Sequence, residues 1–245
     1  MRPLAGLTRT EGMPCLAETP RHRTDMPHTP PNPSLLSRKV STAEILADGI
    51  VHALAILAGL IAFPLLLGHA LGSVGTGVFA ALTVYAAGFF LMWGFSMAYN
   101  MTPPSALKWL LRRFDHSAIY VMIAGTYTAV IAQLDHMGWS IGLGTAIWGL
   151  AAVGVVIKLV LPGRYDRAAV VAYVALGWLG VIAIGPLVAA LPAASLWLLL
   201  AGGMTYIAGI FFYAWSSLRF QQALWHLFVA IAAGLHFAAI AVTVA

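Results

Sequence analysis

The chain has 245 residues, of which 61% are hydrophobic and only 9% charged, with a mean hydropathy of +0.88 and a formal net charge of +5. A soluble domain carries about 25% charged residues, so this composition excludes a water-facing surface over most of the chain. A single cysteine, Cys15, excludes an intramolecular disulfide framework and a thiolate metal cluster. The pI of 9.6, in so apolar a chain, points to membrane topology and anionic lipid heads as partners and away from nucleic acid.

Residues 1–40 stand apart from the rest, with Pro3, Pro14, Pro20, Pro27, Pro30, Pro31 and Pro33, scattered charges and no apolar run. Such a stretch cannot bury enough surface to offset its ordering entropy and is expected to be a disordered tail. It lacks the apolar core of a secretory signal. Order is expected from Ser41-Thr42-Ala43-Glu44, a capping box in which a hydroxyl and a carboxylate satisfy the first free N–H groups of a helix.

The membrane domain, 41–245, then offers seven apolar segments: 44–71, 74–100, 107–134, 139–161, 167–191, 193–216 and 220–244. Each is long enough to cross a hydrocarbon layer that takes roughly 20 residues as a helix. Gly72, Pro103-Pro104, Gly138, Pro162-Gly163 and Pro192 mark the joints. Pro64 and Pro186 fall inside segments and are expected to kink them, which a bilayer tolerates.

The 13 Lys and Arg residues fix the orientation. Arg2, Arg9, Arg21, Arg23, Arg38 and Lys39 precede segment one. Lys108, Arg112 and Arg113 lie between two and three, Lys158, Arg164 and Arg167 flank the joint of four and five, and Arg219 lies between six and seven. Seven spans put all of them on one face, and the positive-inside rule makes that face cytoplasmic. The expected fold is all-α, a seven-transmembrane helical bundle of the cell inner membrane, multi-pass, with the N-terminus cytoplasmic and the C-terminus extracytoplasmic.

Ionisable groups inside a bilayer are costly and point by default to a functional site. Here they are Glu44, Asp48 and His52 in segment one, Asp115 and His116 in three, and His226 and His236 in seven; Ser96, Asn100 and Gln222 add uncharged polar atoms. Asp48, Ser96, Asp115 and His226 all fall about one to two helical turns from the basic face, on four different helices. Glu44, Asp48 and His52 are spaced i, i+4, i+8, a stripe down one helix face that pairs with Lys or Arg at the membrane edge or serves a site. His226 and His236 are too far apart along their helix to share one metal unaided, and an isolated His236 is more often simply hydrogen-bonded to a neighbour.

These residues carry a resemblance to the hemolysin III family, the bacterial branch of the progestin and adiponectin receptor superfamily. The matching pieces are Glu44-Ile-Leu-Ala-Asp48-Gly-Ile-Val-His52, Phe114-Asp115-His116-Ser117-Ala118-Ile119-Tyr120, Ala124-Gly125-Thr126-Tyr127-Thr128, and Leu224-Trp225-His226-Leu227-Phe228-Val229 followed by His236-Phe237. The resemblance implies a zinc site at the cytoplasmic side of the bundle. Its ligands would be a histidine closing a Ser-x-x-x-His pattern in span two and two histidines four apart in span seven, with the span-three aspartate positioning a water. On this chain those positions read Ser96, Asn100, Asp115, Gln222 and His226, so two of the three histidines are replaced by amides. Amide oxygens are poor zinc ligands. The expectation is therefore a hydrogen-bonded network of Ser96, Asn100, Asp115, Gln222 and His226 with no cofactor held, and zinc kept through Asp115 or His52 as the alternative.

Two functions follow from the resemblance. One is a membrane protein without zinc hydrolase activity, acting in membrane homeostasis or lipid response; the other is a zinc-dependent hydrolase of a lipid amide or ester. A retinal pump is excluded because segment seven has no lysine. Cytolysis is suggested by the family name alone. Gly149, Gly154, Gly202 and Gly203 could serve close helix packing within one chain or between chains, which leaves the oligomeric state open.

Overall fold

The first helix begins where its capping residues place it. Ser41 Oγ accepts from the Glu44 backbone N–H while Glu44 Oε2 accepts from the Ser41 N–H, and α1 runs from there over Thr42–Ala70. The computed structural model describes residues 40–134 and 136–245, so the expected disordered tail, but for Val40, lies outside the described residues.

Seven long helical segments follow one another: α1, α2 (Thr76–Met101), α3 (Ala106–Ile131), α4 (Met137–Val160), a broken fifth, α7 (Ala193–Ala214) and α8 (Gln221–Val244). The fifth consists of α5 (Asp166–Gly177), a 3₁₀ turn (Leu179–Ala183) and α6 (Ile184–Ala190). Among the described residues there is no strand. Six of the segments are long and apolar enough to cross a membrane: α1, α2, α4, Asp166–Ala190, α7 and α8. The helix α3 has the length, but Lys108, Arg112, Arg113 and Asp115 crowd its first three turns.

The two internal prolines behave differently. Pro64 lies within a continuous α1. Pro186 sits in the first turn of α6, where a missing N–H costs nothing. The irregularity expected at Pro186 comes earlier, in the 3₁₀ turn at Leu179–Ala183. There Tyr127 Oη donates to Gly177 O and accepts from the Gly180 N–H, each at 2.7 Å, so α3 supplies the partners that the broken helix lacks.

Close packing joins α7 to α8, α8 to α1, α1 to α2, α2 to α3 and α3 to α4. The segment α5 rests on α3 and α4, and α6 touches the start of α7. The seam between α5 and α7 is thus the least packed wall of the bundle. Elsewhere helices meet backbone to backbone: a Cβ on Gly125 would stand 3.2 Å from Val84 O, and one on Gly88 3.3 Å from Met122 Cα. Such approaches are how helices associate where the bilayer offers no hydrophobic drive.

One face of α1 is buried throughout: Glu44, Asp48, His52, Ala55, Gly59, Phe63, Leu66 and Ala70. The stripe read in the sequence is the upper part of that face. Below it Phe63 packs against the rings of Tyr85, Phe89, Phe90 and Phe237. Every Lys and Arg among the described residues sits at the end of the bundle where α1, α3, α5 and α8 begin, the basic end.

Candidate functional site

Four helices bring their polar residues together one to two turns inside the basic end. Asp48 and His52 come from α1, Ser96 and Asn100 from α2, Asp115 from α3 and His226 from α8. His52 is fully buried, and Asp48, Ser96, Asp115 and His226 are each less than a tenth exposed.

The start of α8 is set by Glu44. Its Oε1 accepts at 3.0 Å from the N–H of Phe220, which caps α8 in the left-handed region at φ 60°. A bulky residue is strained there, and the buried carboxylate of α1 helps hold it. Glu44 thus serves both its own helix cap and the entry to α8.

His226 Nδ1 donates to Asp48 Oδ1 at 2.6 Å, and His52 Nδ1 donates to the Asp48 carbonyl at 2.8 Å. Both rings therefore present Nε2 to the same atom, Ser96 Oγ, at 3.1 Å from His52 and 3.5 Å from His226. The two rings meet edge-on with centroids 4.3 Å apart. Asn100 Nδ2 donates to Ser96 O at 2.9 Å and to Ser96 Oγ at 3.3 Å. One hydroxyl proton thus faces two imidazole nitrogens, and the Asp115 carboxylate interacts with the same hydroxyl.

The remaining predicted residues divide. Asp115 lines the same cavity as Ser96 and His226, with Oδ2 3.8 Å from His116 Nε2. Gln222 lines the cavity but is exposed, and among the described residues no hydrogen bond ties it to Ser96, Asn100 or His226. The network expected through Gln222 runs instead through Asp48 and His52, because α1 packs directly on α8 and delivers its stripe there. His236 lines the same cavity deeper in the bundle, its Nε2 donating to Leu199 O at 3.2 Å and its ring against Tyr206.

A second charged group was not read from the sequence. Asp166, first residue of α5, accepts from Lys158 Nζ of α4 at 2.8 Å and from an Arg112 guanidinium N–H of α3, with His116 Nδ1 at 3.8 Å. The signal was present: Lys158 lies inside an apolar helix and needs a partner, and Asp166 is the nearest carboxylate across a Pro-Gly turn.

Between the two clusters lies a cavity of about 290 Å³. Its lining is polar near the basic end, with Arg112, Asp166 and Gln222, and mostly apolar deeper in, with Met122, Ile123, Val174 and Ile207; Tyr127 and Trp178 line it deeper still.

The residues can be tested against a zinc ion. The positions at which the resemblance places ligands do not fit, because Asn100 turns its N–H₂ group onto Ser96 and Gln222 is exposed. A different set fits by donor type. Asp48, His52 and His226 bring a carboxylate and two imidazoles with ligand atoms all within 4.8 Å of one another. Two histidines and a carboxylate are a known hydrolytic zinc set, and holding a metal would exchange the Asp48–His226 hydrogen bond for metal bonds.

Fold and site together define a polytopic helical membrane protein with a polar centre near one end and a cavity leading from it. The family model described as "Haemolysin-III related" matches residues 43–237. The chain is similar to Hemolysin-3 of Bacillus cereus, 36% identical over 188 residues, which are 76% of this chain and 85% of that protein. It is also similar to the Hemolysin-3 homolog of Bacillus subtilis (strain 168), 33% identical over 188 residues, 76% of this chain and 87% of that one. No solved structure matches. The chain belongs to the haemolysin III-related family.

Proposed function

We propose that this chain is a seven-span protein of the cell inner membrane, N-terminus cytoplasmic and C-terminus extracytoplasmic, that serves membrane homeostasis by admitting a membrane lipid to its central cavity. The observation that carries this reading is the cavity itself: an apolar shaft ends on a polar cluster, and its wall between α5 and α7 is the least packed. From Arg112 to Tyr127 the shaft follows α3 for roughly 22 Å at 1.5 Å per residue, most of a hydrocarbon layer about 30 Å thick. An acyl chain fits such a shaft, with its headgroup linkage at Ser96 and His226. The helix α3 completes the seven spans because its charges all lie towards the basic end, where Arg112 pairs with Asp166.

Lipid extracted from the purified chain is expected at about one molecule per protein. Gly203→Phe, which fills the shaft beside Trp178, should lower that several-fold while the protein stays monodisperse; unchanged lipid would refute the cavity reading. A second reading, a zinc-dependent lipid hydrolase, is favoured by the Asp48, His52 and His226 donor set. Metal analysis of the same preparation decides it: one zinc per chain, lost in His52→Ala and in His226→Ala, supports that reading, and none removes it.

The orientation has its own test. Alkaline phosphatase fused after Ala245 should be active, and fused within the α2–α3 joint at Ser105 inactive. Activity at both sites, or at Ser105 alone, would overturn the seven-span, N-terminus-inside arrangement.

A further inference from the structure

Asp48, His226 and Ser96 belong to three helices yet stand in one line. His226 is held through Nδ1–H by the Asp48 carboxylate at 2.6 Å, which leaves the Nε2 lone pair directed at Ser96 Oγ, 3.5 Å away. Ser96 and His226 line the cavity, whereas Asp48 sits behind the imidazole and is 3% exposed. These are the three roles of a serine hydrolase: nucleophile on the cavity side, base next to it, orienting carboxylate behind. The longer of the contacts is of the kind that tightens when a reactant arrives.

His52 explains why the hydroxyl points where it does. Its Nδ1–H is taken by a backbone carbonyl and its Nε2 lies 3.1 Å from Ser96 Oγ, so it holds the serine from the other side. The Asp48 carboxylate stands 3.6 Å from the same Nδ1 but is hydrogen-bonded to His226 at 2.6 Å, so His226 is the better backed of the two to carry the positive charge that proton uptake creates. One turn earlier on α2, Trp93 is 1% exposed, lines the same cavity, and its indole N–H has no hydrogen-bond partner. An unsatisfied buried donor beside a nucleophile suits the oxygen of a bound carbonyl.

We propose that Ser96, His226 and Asp48 form a metal-independent acyl-transfer site acting on a single-chain lipid ester. The substrate class rests on the lipid-cavity reading; the chemistry rests on the three side chains alone. Ser96 Oγ bonds to the carbonyl carbon as its proton passes to His226 Nε2. The bond to the alcohol then breaks, and the alcohol leaves with that proton. Water attacks the acyl-serine with His226 again accepting and returning the proton, and the fatty acid and free Ser96 are released. Zinc on His226 and this chemistry exclude each other, since both use the ring.

The test is covalent labelling of the full chain, purified in detergent, with a fluorescent alkyl fluorophosphonate and mapping of the label by mass spectrometry. Label is expected at Ser96, unaffected by EDTA, absent in Ser96→Ala, and roughly a hundredfold slower in Asp48→Asn. His52→Gln should slow it by less than about tenfold, since the carboxylate-backed base remains. No label on the wild-type chain, label on another residue, or Asp48→Asn labelling at the wild-type rate would overturn the proposal. If Asp48→Asn does not fold, the position of the wild-type label decides by itself. Labelling without any retained lipid would leave the triad standing and remove the lipid substrate.

Discussion

Asp166→Ala is expected to destabilise the protein by about 3 kcal/mol, the low end for removing one partner of a buried ion pair. Its carboxylate serves Lys158 and Arg112 at once, and Lys158 is 1% exposed, so the substitution strands an ammonium inside the bundle. Arg112 suffers less, because it keeps the Trp109 face at 5.3 Å. Water reaches Asp166, whose side chain is 27% exposed, and this places the value at the low end. Equilibrium unfolding in mixed micelles would measure it. Adding Lys158→Met to Asp166→Ala should recover more than half of the loss, since the deeply buried ammonium is then gone and only the more exposed Arg112 lacks its carboxylate. A single variant as stable as wild type, or a double variant no better than the single, would refute this account.

The Asp48–His226 pair should show strong coupling. Asp48 is 3% exposed and His226 7%, and their 2.6 Å contact lies within the bundle. Asp48→Asn leaves His226 Nδ1–H facing an amide; His226→Asn leaves a carboxylate without its donor. Each is expected to cost about 2 kcal/mol, and the double variant well under the sum, with a coupling energy of about 1–2 kcal/mol. Unfolding of the four proteins under one condition closes the cycle. Strict additivity would mean that the contact contributes nothing.

Much of the membrane architecture was legible because bilayer physics writes it into composition. The apolar segments, the capping box at Ser41 and the one-sided placement of Lys and Arg each have a local cause. Part of the site was legible too: the i, i+4, i+8 spacing of Glu44, Asp48 and His52 is the buried face of α1. Its partner was not, because spacing shows which residues share a face and not which helix covers it. The ligand positions implied by the resemblance led to Asn100 and Gln222, while His52, the residue that meets His226, belonged to the matching motif and entered only as an alternative holder of zinc. The break at Leu179–Ala183 was hidden for a similar reason. Nothing within LGVIA demands a 3₁₀ turn, and the hydroxyl that supports it belongs to Tyr127 on another helix. Asp166 was passed over because a carboxylate beside a loop is usually solvated.

The attachment of α5 has a consequence for how the chain can vary. Three polar fasteners tie that segment to α3: Arg112 to Asp166, Tyr173 Oη to His116 O, and Tyr127 Oη to Gly177 and Gly180. Apolar side chains between those points exchange one oily environment for another and hold by packing alone. Substitution at Val171, which is exposed and lies off the cavity, should therefore be absorbed easily, whereas loss of a phenol oxygen at Tyr127 or Tyr173 removes one of three ties that hold this wall of the cavity.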